Sequence, residues 1–401
     1  MGFLLEDQFL DDFAMRGLAM TYYGGADLGE CISTAGRVQG GSADSYHEQW
    51  VATGDRLCAG ADASAAQGHA VSAREAYLRA STYYRISYYP LYGRPIDPRL
   101  TAAFDKEMDT FGKAATLMDP PGRAVEIPFE NTTLPGYFFT VDDSGALRPT
   151  AICTSGYDST IYEGYLSIGA AALRRGYNVL LYDGPGQGRA LIKQGLYMRP
   201  DWEHVVTPVI DFALTLPEVD AKRMVLFGSS FAGYLAPRAA ASEHRIAALV
   251  ADPGLWDMNE AFKMMLPFPD DQKAKFPNVD PAVVQPILDQ MMHVPRVRWT
   301  FQQRALMVHG VDSVYDYLKV MAAYTVADRA AEIACPTLVT KAENDPLAGF
   351  SPALYAGLTC PKVLLEFTAA EGAGEHCEWY ARSLFHQRVF DWLDETLADM
   401  P

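Results

Sequence analysis

The stretch Met224-Val-Leu-Phe-Gly228-Ser229-Ser230-Phe231-Ala232-Gly233 restricts the fold more than any other part of the chain. Four apolar residues predict a short buried strand, and Tyr234 to Ala241 predicts a helix. The Gly-x-Ser-x-Ala run between them needs a turn so tight that the residues two places either side of Ser230 must be small. Gly228 and Ala232 meet that demand. A strand–turn–helix of this kind raises a serine above a sheet and presents its hydroxyl. It also sets the backbone N–H of Phe231 at a helix N-terminus, where a developing oxyanion can be held. An ordinary Gly-Ser turn before a helix has the same local pattern, so the order of the downstream residues decides between the two.

Strands and helices alternate around this turn. Ala124–Phe129 and Gly136–Val141 predict two strands of a meander, and Pro149–Thr154 a third strand. Asn178–Tyr182, a helix over 201–216, the Ser230 unit, Ile246–Ala251, Pro336–Thr340, Lys362–Phe367 and a last helix over 376–397 follow. That order predicts an α/β fold with a mostly parallel sheet flanked by helices. Residues 1–122 show no strand pattern and predict a helical extension, with helices over 47–57, 70–89 and 100–117. It ends at the breaker cluster Asp119-Pro-Pro-Gly122. The core is then 123–401. Residues 258–325 interrupt the alternation, are too long for a connection, and are rich in Met, Pro and aromatics. They predict a helical cap inserted in the core.

Composition narrows the partners. A net charge of −17 over 401 residues argues against nucleic acid or an anionic membrane surface and suits solubility. The six cysteines have no CxxC spacing, so neither a disulfide framework nor a metal site is expected. No apolar run reaches membrane-spanning length. The N-terminus turns acidic at once and lacks a basic leader, so a cytoplasmic protein is expected. No cofactor is expected either: Asp183-Gly-Pro-Gly-Gln-Gly188 is not a dinucleotide fingerprint, because Pro185 removes an N–H and no strand–helix unit carries the full pattern. A structural turn is expected there.

Ligands of open parallel sheets bind at the carboxyl ends of the strands. Ser230, then Glu343-Asn-Asp345, then Glu371-Gly-Ala-Gly-Glu-His376 stand at such ends, in the order serine, acid, histidine. Imidazole, with an ordinary pKa of ~6.5, can take and return a serine proton near neutrality. His376 is the expected base and Asp345 its partner, with Asp252 and Asp257 as rivals for the acid; Glu343 is expected to be solvated or structural. The second oxyanion donor is expected to be the N–H of Tyr157, with Gly156 allowing close approach. Asp158 fits the cap of the next helix better than a catalytic acid, and Thr160-Ile-Tyr-Glu163 fits a capping box. Candidate substrate contacts are Gly156, Asp158, Asp252, Tyr84, Tyr88, Met264 and Trp299. The tyrosines Tyr83 to Tyr92 either pack their helix or wall an aromatic pocket.

Tyr182–Gly188, Gly195–Trp202, Gly228–Arg238 and Glu371–Cys377 together resemble a distinct group of α/β-hydrolases. It includes the dihydroxypseudooxynicotine hydrolase of nicotine breakdown and the fungal hydrolases that shorten heptaketide naphthopyrones. The resemblance covers about residues 120–401 and departs mildly at Ala232, where glycine is commoner. It implies an eight-stranded-type sheet, a triad of Ser230, Asp345 and His376, and cleavage of a carbon–carbon bond beside a ketone. The expected function is therefore a cofactor-free serine hydrolase of a bulky, partly aromatic ketone, ester or amide. The alternatives are an esterase, thioesterase or acyltransferase of a biosynthetic pathway, and a non-catalytic binding protein on the same fold. The extension is expected to wall the pocket or to form the interface of a homodimer.

Overall fold

The computed structural model describes residues 2–398. Its centre is one eight-stranded sheet: β1 (Arg123–Phe129), β2 (Thr132–Phe139), β3 (Arg148–Thr154), β4 (Asn178–Tyr182), β5 (Val219–Ser229), β6 (Ala248–Asp252), β7 (Thr337–Ala342) and β8 (Lys362–Phe367). The order across the sheet is β1-β2-β4-β3-β5-β6-β7-β8. Only β2 runs opposite to the other strands. Every residue of β4 and β6 is buried, as apolar strands covered on both faces must be. The strand and helix alternation read from the sequence is therefore the observed one. The boundaries moved most at β5, which starts five residues before the apolar run because Val219 pairs with Arg148.

Five helices precede the sheet: α1 (Gln8–Ala19), α2 (Leu28–Ala35), α3 (Ala43–Ala66), α4 (Ala70–Ser87) and α5 (Pro98–Thr116). The sequence pattern shows three of them. Side chains start most of these helices by accepting the first free N–H groups: Asp7, Asp27, Ser42 and Asp97 act as N-caps. Leu100, Phe104 and Phe111 bury one face of α5. Gly54 on α3 lies so close to the Tyr84 ring that a Cβ there would sit 2.6 Å from it. That contact sets the spacing of the α3–α4 hairpin.

Between β6 and β7 the chain leaves the sheet through a narrow neck. Asp257 bridges Thr325, the Met258 N–H donates to the Tyr324 carbonyl at 2.9 Å, and the Val326 N–H to that of Trp256 at 2.9 Å. Beyond the neck lie short helices, among them Met258–Met265, Pro281–Met291 and Val314–Met321. The last helix differs from the sequence expectation. The segment His376–Ala381 is a separate turn in which Cys377 and Glu378 take φ of 54° and 47°, and the helix proper is Arg382–Ala398. Left-handed backbone at two non-glycine residues leaves no mark in apolar periodicity.

The turn after β5 fits only because its neighbours are small. A Cβ on Gly233 would stand 1.7 Å from the Pro253 carbonyl oxygen, and one on Gly228 would stand 2.1 Å from that of Ala232. Gly233→Ala is expected to lower unfolding free energy by about 1–3 kcal/mol in a urea titration. Gly60→Ala, mid-α3 with open space around it, is expected to be neutral or to raise stability by up to about 1 kcal/mol. Equal effects would show that the crowding does not bind the turn.

Candidate active site

Ser230 has φ of 59°, in the left-handed region that a non-glycine residue enters only when its surroundings enforce it. Its N–H donates to the Asp252 carbonyl at 2.5 Å, and its own carbonyl accepts from the Gly233 N–H at 2.9 Å. These bonds tie the turn to the end of β6 and to the helix Ala232–Ala240. The Ser230 hydroxyl lies 2.8 Å from His376 Nε2. His376 Nδ1 lies 2.6 Å from Asp345 Oδ2. A carboxylate only accepts, so the imidazole proton sits on Nδ1 and Nε2 accepts from Ser230. Asp345 is buried and its other oxygen accepts the Leu347 N–H at 2.9 Å. The His376 side chain is 36% exposed, so solvent reaches it. Such a row can move a proton from a hydroxyl to an imidazole whose charge a buried carboxylate offsets.

The loop after β3 faces the serine. A Cβ on Gly156 would meet Ser230 Cβ at 2.9 Å, which only glycine avoids. The N–H groups of Tyr157 and Phe231 donate to no other group among the described residues. The two rings meet edge-to-face at 5.1 Å. The Asp183–Gly188 turn holds this loop from behind. Gln187 Nε2 donates to the Ser155 carbonyl at 2.5 Å and the Gly156 carbonyl at 3.1 Å. Asp183 accepts the N–H groups of Ile161 and Arg189, and burial pushes its carboxyl up to about 7.

Most other residues singled out by sequence are engaged in contacts of their own. Asp252 is buried, with Oδ1 accepting the Thr340 hydroxyl at 2.9 Å and Oδ2 paired with Arg382 at 3.3 Å, so it is not free for a ligand. Asp257 caps the first cap helix through the Glu260 N–H. Glu343 accepts the Ala369 N–H. Thr160 does cap the next helix, but Glu163 does not complete the capping box: its carboxylate turns to Arg85 and Tyr89. Asp158 caps nothing and lies between Arg85 and Arg304. Tyr84 donates to Asp55 and Tyr88 to Glu107, contacts inside the extension that leave neither hydroxyl for a substrate. Met264 is 71% exposed on the cap's outer surface. Trp299 is buried, with its indole N–H on the Tyr89 carbonyl at 2.7 Å, and so joins cap to extension.

Sequence reasoning missed the cation that links these parts. Arg85, on α4, is buried and donates to Glu163 at 3.2 Å and to the Asp158 carbonyl at 3.0 Å. Its guanidinium lies 4.1 Å from the Tyr89 ring centroid. It thus ties the extension to the residue after Tyr157. From the cap, Arg304 lies over Tyr157 at 4.9 Å and over Trp299 at 4.6 Å. His309 packs on Tyr157 at 5.3 Å, and burial pushes its imidazole down to about 3, so it is neutral. A single arginine amid five tyrosines was the available signal for Arg85; nothing in the cap's pattern marks Arg304 or His309. A surface groove of about 580 Å³ lies elsewhere, among Tyr22, Arg74, Arg79 and Arg174 of the extension and first core helix, and includes none of these residues.

Comparison with known proteins identifies the family. Residues 151–388 match the model of the Alpha/beta hydrolase family. The chain is 34% identical to Hydrolase LUC6 of a Fusarium species, over 96% of this chain and 95% of that protein. It is 33% identical to the 20-hydroxy-prefusarin hydrolase FUS2 of Gibberella moniliformis, again over 96% and 95%. The crystal structure of a 2,6-dihydroxy-pseudo-oxynicotine hydrolase shares the fold, with a TM-score of 0.74 and 21% identity over 95% of each chain. The chain belongs to the α/β-hydrolase family, and it is a hydrolase. The resemblance read from its motifs is borne out. Among the described residues no helix is long and apolar enough to cross a membrane.

Replacing Arg85 by Met leaves Glu163 buried without its cation. Arg85→Met is expected to cost about 3–5 kcal/mol in chemical denaturation. A loss below about 1 kcal/mol, the range of exposed pairs, would show that the guanidinium does not hold extension and core together.

Proposed function

We propose that the chain is a serine hydrolase in which Ser230 is the nucleophile, His376 the general base and acid, and Asp345 the group that orients the imidazole. The observation that carries this reading is the continuous row from Ser230 Oγ to His376 Nε2 at 2.8 Å and from His376 Nδ1 to Asp345 at 2.6 Å. The substrate is a bulky, partly aromatic carbonyl compound, with a ketone favoured. The aromatic surround of Tyr157, Phe231, His309 and Tyr324 supports an aromatic partner. The likeness to a protein named a prefusarin hydrolase supports a large natural product.

Ser230 attacks the carbonyl carbon while its proton passes to His376. The N–H groups of Phe231 and Tyr157 hold the oxyanion. The intermediate collapses by breaking the bond to the leaving carbon, which departs with the electron pair and takes the proton from His376. Such a carbanion is tolerable when a second carbonyl or an electron-rich ring stabilises it. His376 then activates water, which attacks the acyl ester and releases the acid. Ester and thioester bonds break by the same steps with an easier leaving group. The partial exposure of His376 supports hydrolysis over acyl transfer, because water reaches the base.

Asp345→Asn is expected to lower kcat on the order of 10⁴-fold, because the amide favours the wrong imidazole tautomer. If Asp252→Asn has the large effect instead, the acid is misassigned. Substrate class is tested by pairing an aryl β-diketone with the ester of the same acyl group and following products by chromatography. Cleavage of the diketone into acid and ketone supports the carbon–carbon reading. Turnover of the ester alone would place the protein among the esterases.

A further inference from the structure

The residues just after His376 form an unusual unit. Cys377 and Glu378 are both left-handed, and the turn is closed by the Glu378 N–H on the Glu375 carbonyl at 2.8 Å. Arg382 Nη1 donates to the Cys377 carbonyl at 2.8 Å. Glu378 is fully buried and Asp252 is 1% exposed. The Cys377 thiol donates to the Asp252 carbonyl at 3.4 Å, and the Glu378 carboxyl that follows lies within hydrogen-bond reach of the Asp252 side chain. Asp252 already has two partners, Thr340 from β7 and Arg382 from the last helix. Its backbone carbonyl holds the Ser230 N–H. Neither carboxyl oxygen of Glu378 receives a hydrogen bond from any described residue.

Two ionised carboxylates cannot satisfy each other, since both only accept. One proton between them turns one into a donor and removes a buried negative charge. The charges facing the unit are Asp252 from β6, Asp345 from the loop after β7, and Arg382 from the last helix. Cys377 is also adjacent, and His386 beyond Arg382 is held neutral by burial and by that guanidinium. One cation therefore stands against three carboxyl groups.

We propose that Glu378 is a neutral carboxylic acid donating its proton to Asp252, and that this acid–carboxylate pair is a positioning device that fixes the His376 turn against the Ser230 turn. Burial first, and the Asp252 charge second, push the Glu378 carboxyl well above its usual range, in the same direction. A carboxyl with a raised folded-state pKa keeps its proton in the folded chain after the unfolded chain has released it. The stabilisation is complete below the ordinary carboxylate range and fades as pH rises towards the folded value. When the pair finally ionises, a second negative charge faces a single guanidinium, and the turn that places His376 opens.

The positioning role rests on the Ser230–His376 reading; the protonation does not. The first experiment is therefore infrared difference spectroscopy at neutral pH on wild type and Glu378→Gln. The wild type is expected to carry one protonated-carboxyl band that the variant lacks; identical carboxyl regions overturn the proposal. The second is kcat and KM across the neutral-to-alkaline range. Glu378→Gln, whose amide can still donate to Asp252, is expected to keep kcat within about threefold and to lose the alkaline fall. Glu378→Ala is expected to lower kcat by about tenfold or more with KM little changed. An alkaline limb in Glu378→Gln identical to wild type, or equal damage in the two variants, overturns the positioning role. Should Glu378→Ala not fold, the infrared comparison and the Glu378→Gln profile still decide.

Discussion

Everything at the site depends on the left-handed backbone of Ser230. That conformation points the serine out of the sheet and turns its N–H back to the Asp252 carbonyl. It is costly for a residue with a Cβ, of order 1–3 kcal/mol, and the cost is met by crowding on every side. Gly228, Gly233 and Gly156 are each pressed against backbone or against Ser230 itself, so no other residue fits in their places without movement. The same crowding brings β3, β5 and β6 to one point and sets Gly156 directly against Ser230.

A second layer fixes what the turn alone cannot. The Tyr157 loop is held from one side by Gln187 and from the other by Arg85, whose charge is satisfied by Glu163 and by aromatic faces. The cap reaches the same loop through Arg304 and His309. Extension, core and cap therefore meet on residues 155–158. Buried charges of this kind add little net stability when complete but are expensive to leave half-made. Their consequence is a single arrangement of the loop.

The sheet and the elements carrying Ser230, Asp345 and His376 were legible because they depend on local rules: apolar strands of four to six residues, small residues flanking one serine, and chemistry placed at strand ends. The meander at β1 and β2 was legible for the same reason. The capping box at Thr160 failed because a long-range partner, Arg85, outcompeted the local N–H for Glu163. Tyr84 and Tyr88 stayed between two readings because an aromatic-rich helix looks the same whether it lines a pocket or packs on its neighbours. Glu378 was invisible because its environment comes from four separate elements of the chain, and no pattern around residue 378 marks left-handed backbone there. What sequence reading could reach was the order of the chemistry. What it could not reach was which buried polar groups find each other across the fold.

The most direct test of the central claim is active-site labelling with a fluorophosphonate followed by peptide mass mapping. Folded protein is expected to take up one phosphonyl group, on Ser230, and Ser230→Ala to take up none while retaining its melting temperature. Folded protein that stays unlabelled, or that carries the group on another residue, would contradict the account.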